Sequence, residues 1–298
     1  MTTRENSGAQ DGTFRAACIQ FDVRRGEVAA NLAAARAGIE AAAQEGCRLA
    51  VLPEMWPTSF MLDYPPGILA ESEKAEQEVR ELSASLCMVI VGSAVERTGT
   101  APFNTARVFD HGKELGHYRK IHMFSPNAEP RYHASGDRAL VVDTSLGRMG
   151  VAVCYDIRFP ELTRWHFHKG VEILAVPAQW PEARAQHWKT LLRARAIENE
   201  MFVVGCNRTG NEASLKSDEV LPFPGDGRIV DPTGEILAAG TGTEAPVIAE
   251  IELRRVRMVR RILPVSRDQR PAVYRRLFDE VYEDMVKASR DVDDSQEN

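Results

Sequence analysis

Three side chains that could react together, Glu54, Lys120 and Cys154, each follow a stretch whose composition is typical of a β-strand. Cys154 ends the apolar run 151–153, and Glu54 comes just after the apolar run 49–52. Because open sheets gather catalytic groups at their strand ends, we expect these side chains to meet. A thiol beside a carboxylate and an ammonium predicts covalent catalysis. The thiol attacks, the carboxylate takes its proton, and the ammonium lowers the thiol pKa and stabilises an oxyanion.

Each of these residues also has an ordinary structural explanation. A free cysteine after apolar residues is most often a small core residue. Glu54 can be a solvated surface acid, and Lys120 can be a solvated base that closes a hairpin. The arrangement of the three residues, and not any single one of them, therefore favours catalysis.

The composition is that of an ordinary globular protein. The chain has 298 residues, of which 44% are hydrophobic and 27% are charged, and no linker divides it, so we expect one domain. The net charge of −6 gives no general attraction to nucleic acid or to an anionic membrane. No apolar run approaches the length of a membrane span.

The cysteines indicate the cellular compartment and whether a metal site is expected, and the two ends of the chain have the composition of tails. Five cysteines with wide spacing and no CxxC pair argue against a disulfide framework and a thiolate zinc site. We therefore expect a cytoplasmic enzyme without a metal. Residues 1–12 are polar and lack the apolar segment of a signal peptide, so they are predicted to be a disordered tail. The acidic residues 290–298 are predicted to be a second disordered tail.

Strands and helices alternate along the chain, and several strand pairs are joined by tight turns. This mixture predicts an α/β layered sandwich with mixed sheets. The segment 210–227 is polar and contains glycine, so it is predicted to be a long loop. Helices are predicted over 27–45, 71–86, 160–169, 182–200, 253–262 and 273–289.

Five motifs resemble those of the nitrilase superfamily, the carbon–nitrogen hydrolases, and they occur in that family's order. The resemblance implies a four-layer αββα sandwich over 13–275, followed by a C-terminal helix and acidic tail over 276–298. It also implies a homodimer formed through the outer helices, and a Glu54–Lys120–Cys154 triad that needs no cofactor. The motifs are LPE at 52–54, YRKIHMF at 118–124, GVAVCYDIRFPE at 150–161, RARAIEN at 193–199 and GDGRIVDPTGE at 225–235.

The same resemblance suggests further site residues. Glu129 fits a second glutamate that the family often carries in the loop after the lysine. The backbone N–H of Tyr155 would help to hold the oxyanion. Tyr155, Gln179 and Trp180 are candidate substrate-binding residues, although Trp180 could equally be a core residue. Arg158 could bind a substrate carboxylate, but we expect it to pair with Asp156.

The implied reaction is hydrolysis of a small carboxamide through a thioester. The motif around Cys154 is most similar to the omega-amidase-type branch, which implies a small linear substrate with a terminal amide and a carboxylate, such as 2-oxoglutaramate. The loops 60–67 and 211–225 match no single subfamily. Because such loops shape a pocket, nitriles and N-carbamoyl (ureido) compounds remain alternative substrates.

Two other hypotheses remain open. His122 lies two residues after Lys120 and would serve as the base of a Cys–His hydrolase, although a structural histidine is the simpler interpretation. A non-catalytic binding scaffold is the other alternative, but a scaffold has no need of all three reactive groups.

Overall fold

The computed structural model describes residues 12–99, 101–242 and 245–296, with only the backbone for residue 241 and for residues 284–296. The predicted N-terminal tail, apart from Gly12, lies outside the described residues. The chain divides into two compact units, of which the first ends at Val259 and the second begins at Arg260. The domain boundary after residue 275 stays a prediction.

A six-stranded mixed sheet has the strand order β13-β1-β2-β3-β4-β5. The pairs β1–β2 and β2–β3 are parallel, and the remaining neighbours are antiparallel. The β4–β5 pair, which turns at residues 111–112, agrees with one of the tight turns expected from the sequence. The strands are β1 (Thr13–Cys18), β2 (Cys47–Val51), β3 (Val89–Arg97), β4 (Pro102–Asp110), β5 (Lys113–Arg119) and β13 (Val247–Glu252).

A seven-stranded mixed sheet has the order β10-β11-β9-β8-β7-β6, with β12 also paired to β11. Its centre, β7–β8–β9, is parallel, and the other pairs are antiparallel. The strands are β6 (Val141–Thr144), β7 (Gly147–Val151), β8 (Ile173–Ala178), β9 (Phe202–Asn207), β10 (Thr209–Ala213), β11 (Val220–Val230) and β12 (Ile236–Thr241).

Helices cover the outer faces of the two sheets in the first unit. Helices α1 and α2 pack against the first sheet, and α4 packs against β9 and β11 of the second. This arrangement confirms the predicted four-layer αββα sandwich. The helices are α1 (Val28–Gln44), α2 (Pro66–Ser85), α3 (Pro160–His168), α4 (Ala185–Asn199), α5 (Arg254–Ile262), α6 (Val265–Asp268) and α7 (Pro271–Gln296).

The alternation of side chains along the strands produces two cores. Leu49 and Val51 of β2 face the second sheet and join the larger core, which also contains Val151 of β7. The intervening Ala50 and the following Leu52 face the other way and pack beneath α1 and α2. This period-two pattern is what a strand buried on both faces requires. The rigid sandwich that results holds the ends of β2, β5 and β7 in place.

The structure corrects two of the predicted segments. The segment 210–227 is not a long loop, because β10 and β11 form an antiparallel hairpin there. It lies at an edge of the second sheet, where polar side chains face solvent and hide the strand signal. The final helix does not stop at Ser289, since α7 continues to Gln296. Within the described residues, no helix is both long and apolar enough to cross a membrane.

Candidate active site

Cys154 is presented by a strained turn between β7 and α3. It begins the short 3₁₀ helix Cys154–Arg158 and has a φ of +48°, a conformation that non-glycine residues seldom adopt. The buried Asp156 holds this turn, because its carboxylate accepts hydrogen bonds from the Val153 N–H and the Tyr118 hydroxyl, both at 2.8 Å. Strain of this kind persists only where the surroundings enforce it, and it is concentrated at functional sites.

Glu54 lies just beyond β2 and is 1% exposed. Its Oε1 accepts hydrogen bonds from Lys120 Nζ at 2.8 Å and from Asn104 Nδ2 at 2.7 Å. Its Oε2 accepts the backbone N–H of Gln179 at 3.0 Å. Its charge also raises the pKa of the Cys154 thiol, so the two groups interact. These contacts hold one buried carboxylate beside Cys154.

Lys120 follows β5 and lies between two carboxylates. Its Nζ donates to both oxygens of Glu129, at 2.8 and 2.7 Å, as well as to Glu54. Glu129 begins the 3₁₀ helix Glu129–Arg131, and its Oε2 also accepts the Phe124 N–H at 2.7 Å. The structure therefore brings Glu54, Lys120 and Cys154 together, with Glu129 joined to them through the ammonium.

Burial and charge set the protonation of these groups. Burial raises the pKa of the Cys154 thiol well above its usual value, the charge of Glu54 adds to this, and Lys120 only partly opposes it. Burial also raises the pKa of Glu54, against the lowering effect of Lys120. Burial lowers the pKa of Lys120, but Glu129 and Glu54 outweigh burial and hold that pKa above its ordinary value.

The raised pKa favours the thiol form of Cys154 over the thiolate. As the sequence led us to expect, Lys120 lowers the Cys154 pKa. Burial raises that pKa by more than Lys120 lowers it. A carboxylate with a raised pKa is a stronger base than an ordinary glutamate. Glu54 is thus suited to remove the Cys154 proton as the new bond forms.

These four side chains line a cavity of about 160 Å³. Its walls include the aromatic rings of Phe60 and Phe124, and Lys120 Nζ lies 5.7 Å from the Phe60 ring centre. The β10–β11 hairpin forms another wall, and its Lys216 Nζ donates to the carbonyl oxygen of Pro126 at 2.8 Å. Because pockets for drug-sized ligands are several times larger, this cavity suits a small, compact substrate.

The predicted substrate-binding residues take different positions. Gln179 lines the cavity, but its side chain is engaged with protein groups, since Nε2 donates to the Glu54 carbonyl at 2.8 Å. Tyr155 and Trp180 instead border a smaller cleft that also reaches Cys154. Trp180 is 3% exposed and packs against Trp188 with ring centres 5.5 Å apart. Its contacts are mainly those of a core residue.

The side chains of His122 and Arg158 are both hydrogen-bonded to other side chains of the protein. His122 Nδ1 is hydrogen-bonded to Asp156 at 2.8 Å, and its ring stacks on Phe159 at 3.7 Å. These contacts favour a structural role over that of a base. The predicted Arg158–Asp156 pair is wrong. Arg158 instead donates to His187 at 3.1 Å, because Asp156 is already occupied within its own turn.

Sequence reasoning missed two buried polar residues near Glu54. Asn104, at 0% exposure, lies in β4 and donates to the Glu54 carboxylate. Arg208, also at 0% exposure, joins β9 to β10 and donates to Gln179. The available signal was a polar or charged side chain directly beside an apolar strand. In such a position a polar group needs a buried partner.

The described residues contain no group of three or more His, Cys, Asp or Glu side chains that could hold a metal ion. All five cysteines are free, and four of them are buried.

Comparisons with known proteins agree with this geometry. Residues 15–261 match the carbon–nitrogen hydrolase family. The 2-oxoglutaramate amidase of Bacillus subtilis (strain 168) is 35% identical over 260 residues, which are 86% of this chain and 98% of that protein. The omega-amidase of Bos taurus is 30% identical over 278 residues, which are 88% and 97% of the two chains. The crystal structure of a Helicobacter pylori G27 carbon–nitrogen hydrolase superposes with a TM-score of 0.81 at 28% identity, over 90% of this chain and 98% of that one. The chain therefore belongs to the carbon–nitrogen hydrolases of the nitrilase superfamily, in the omega-amidase branch, and is a C–N hydrolase.

Proposed function

We propose that the protein hydrolyses the terminal amide of a small carboxylic acid, a compound of the 2-oxoglutaramate type, and releases ammonia. The observation that carries this proposal is a buried thiol, carboxylate and ammonium, contributed by Cys154, Glu54 and Lys120, on one wall of a cavity of about 160 Å³. The names of the relatives from Bacillus subtilis and Bos taurus support a small amide as substrate.

In the first half-reaction, Cys154 Sγ attacks the amide carbonyl while Glu54 accepts the thiol proton. The developing oxyanion is held by the Lys120 ammonium and by the N–H of Tyr155. That N–H lies in the first turn of a 3₁₀ helix, where N–H groups have no acceptor within the helix. Loss of one such donor costs about 3 kcal/mol of barrier. Glu54 then passes its proton to the leaving nitrogen, the C–N bond breaks, and a thioester on Cys154 remains.

In the second half-reaction, Glu54 takes a proton from water, and the water oxygen attacks the thioester carbonyl. The C–S bond breaks, the proton returns to Cys154, and the acid leaves, so the net change is amide plus water to acid plus ammonia. Both oxygens of Glu129 are hydrogen-bonded to Lys120, and one also binds the Phe124 N–H. We therefore assign Glu129 to orienting Lys120 and keeping it charged.

The charges around the cavity suggest where a substrate carboxylate binds. Lys120 is paired with two glutamates, and Arg25 is paired with Glu212 at 3.1 Å. Arg184 borders both the cavity and the cleft beside Cys154, and none of the ion pairs among the described residues includes it. Its guanidinium lies 5.3 Å from the Phe124 ring centre. We assign Arg184 to the substrate carboxylate.

A substrate panel tests this function. Ammonia release is measured for an acidic ω-amide such as 2-oxoglutaramate, a neutral amide of equal length, the matching nitrile and an N-carbamoyl compound. We expect the acidic amide to be preferred and the Cys154→Ala variant to be inactive. Arg184→Gln should raise KM for the acidic amide about tenfold or more, the loss of one charge-assisted pair, with little effect on the neutral amide. A preference for the nitrile or the N-carbamoyl compound would contradict the proposal.

The assembly and location of the enzyme are also proposals. The outer helices α3 and α4 carry the partly exposed apolar side chains Trp165 (36%) and Ile197 (49%). Together with the family resemblance, this supports a homodimer formed through these helices. Light scattering on the purified chain should give twice the mass of the monomer. The free cysteines support a reducing location such as the cytoplasm.

A further inference from the structure

A completely buried arginine outside the reacting groups is the least expected feature of the site. Arg208 is 0% exposed and lies between β9 and β10. Burying a guanidinium is unfavourable unless charges and hydrogen bonds compensate it. Two carboxylates supply the compensation, because Arg208 pairs with Asp22 at 3.0 Å and with Glu212 at 3.1 Å. Its guanidinium also lies over the Phe223 ring at 4.6 Å.

The remaining hydrogen bonds of Arg208 point towards the reacting groups. Its Nη1 donates to Gln179 Oε1 at 3.1 Å and lies 3.4 Å from Ser59 Oγ. The Ser59 hydroxyl itself lies 3.3 Å from Gln179 Oε1. The single Ser59 proton goes to Glu212 Oε1 at 2.9 Å, so Arg208 is the donor that fixes this end of the Gln179 amide. An amide rotated by 180° would turn its own donors towards the cation, so this arrangement allows one orientation only.

With its oxygen held in this way, Gln179 reaches both catalytic side chains. Its Nε2 donates to the Glu54 carbonyl at 2.8 Å, and its backbone N–H donates to Glu54 Oε2 at 3.0 Å. Its own carbonyl accepts the Cys154 thiol at 3.7 Å. The Gln179 main chain thus contacts both the base and the nucleophile, and Arg208 holds the Gln179 side chain against the main chain of Glu54.

The same cation also holds a wall of the cavity. Glu212 belongs to β10 and lines the cavity, and its carboxylate is shared by Arg208, Arg25 and the Ser59 hydroxyl. Arg208 therefore connects the hairpin that borders the substrate to the amide that orients the base.

We propose that Arg208 is a positioning residue, which locks the Gln179 amide so that the Glu54 carboxylate is aimed at the Cys154 thiol. This inference rests on the proposed function, in which Glu54 is the base and Cys154 the nucleophile. Because a displacement of about 1 Å at a reacting group can reduce the rate about 100-fold, loss of the lock should lower kcat more than it raises KM.

The direction of the pH effect follows from the contacts of Glu54. The titratable groups that face it are Lys120, Glu129 and Cys154, and none of them is a hydrogen-bond or ion-pair partner that the structure gives Arg208. The backbone N–H of Gln179 donates to Glu54 Oε2 and stabilises the ionised carboxylate, so a shift of Gln179 away from Glu54 raises the Glu54 pKa. The acid limb of the kcat profile should then move to higher pH.

The test uses Arg208→Lys, which keeps the positive charge beside Asp22 and Glu212 but removes the planar fork that binds Gln179. We expect kcat for the acidic amide to fall about 10- to 100-fold, KM to stay within about threefold, and the acid limb to shift upwards. Arg228→Lys is the matched control, because Arg228 is also buried and is paired with Asp226 at 2.8 Å. It should lower the melting temperature and leave the pH profile of kcat unchanged.

A second variant decides the matter if Arg208→Lys does not fold. Gln179→Glu keeps a partner for Arg208 but loses the N–H that binds the Glu54 carbonyl, so it should reproduce the fall in kcat. If both variants fold, their effects on kcat should be non-additive in the double variant, since both act through one amide. Additive losses, or a normal kcat profile in Arg208→Lys or Gln179→Glu, would overturn the inference.

Mass spectrometry separates this inference from the proposed function. An acyl adduct on Cys154 of the unaltered enzyme, trapped with the amide substrate, supports the thioester route. If the adduct never forms, the proposed function fails whatever Arg208 does. If the adduct forms and Arg208→Lys turns over normally, only the positioning role is wrong.

Discussion

Replacing Glu129 by glutamine tests how the buried ammonium is held. Glu129 supplies two of the hydrogen bonds of Lys120 Nζ, at 2.8 and 2.7 Å, and also accepts the Phe124 N–H. Glutamine is nearly isosteric, but it has only one oxygen, so its NH₂ group must face either the ammonium or the backbone N–H. The substitution therefore removes a charge and leaves at least one donor facing a donor.

The size of the effect follows from these contacts. A hydrogen bond to a charged group contributes about 1.5–3 kcal/mol, and loss of one partner of a buried ion pair costs about 3–5 kcal/mol when no other partner remains. Glu54 remains bonded to Lys120 at 2.8 Å, so we expect Glu129→Gln to lower the free energy of unfolding by about 2–4 kcal/mol. A misdirected Lys120 should reduce kcat about 100- to 1,000-fold, as for loss of an oxyanion donor.

The pH dependence of the Glu129→Gln enzyme gives a second, independent test of this assignment. Burial is the largest cause of the raised Glu54 pKa, and the negative charge of Glu129 raises it further. Removing that charge lowers the Glu54 pKa, so the acid limb of kcat/KM should move to lower pH, opposite to the shift expected for Arg208→Lys. Lys120 loses one of the carboxylates that hold its pKa up, so activity should also fall earlier on the alkaline side.

Ammonia release across the pH range and unfolding in guanidinium chloride measure these effects. Glu71→Gln is a suitable control, because Glu71 is an exposed acid on α2. It should change neither the pH profile nor the stability by more than about 0.5 kcal/mol. A Glu129→Gln enzyme with the native kcat and an unmoved acid limb would refute the assignment of Glu129 to orienting the Lys120 ammonium.

Three further outcomes can be measured. Glu54→Gln should abolish turnover, because the thiol loses the base that takes its proton; ammonia release at the native rate would contradict this. Asp156→Asn should lower the unfolding free energy by about 2–4 kcal/mol by weakening the hydrogen bonds of Val153 and Tyr118, and an unchanged melting temperature would argue against that role. Burial raises the pKa of Glu76 to about 7, although Arg107 opposes the shift. The stabilisation that follows from this raised pKa is fully present below about pH 4.5 and is lost as the pH rises through 7. The free energy of unfolding of the native protein should therefore exceed that of Glu76→Gln by less and less across this window, which urea unfolding at several pH values would check.

The predictable part of the fold came from local patterns. The apolar runs 49–52 and 151–153 have the composition of buried strands; β2, at Cys47–Val51, covers most of the first run, and β7, at Gly147–Val151, ends where the second run begins. Helix α3 begins at Pro160, as its fixed φ favours. The β10–β11 hairpin was missed because its polar residues resemble a loop, and only pairing along the sheet edge makes them strands.

The candidate site was likewise predictable from local patterns only in part. The sequence alone determined which residue types stand at the ends of three strands, and it therefore indicated Glu54, Lys120 and Cys154 as a reactive group. Motif spacing also indicated Glu129. These predictions need only neighbouring residues in the chain, because the pattern of apolar residues itself indicates where each strand ends.

Only the tertiary structure decided how these groups are charged and aimed. Burial raises the pKa of Cys154, a result that the neighbouring lysine alone would not suggest. Gln179 and Arg208 act on Glu54 from positions 125 and more residues away in the chain. Hydrogen-bond direction and desolvation depend on what surrounds a side chain in three dimensions, and a list of residue types in order does not contain that information.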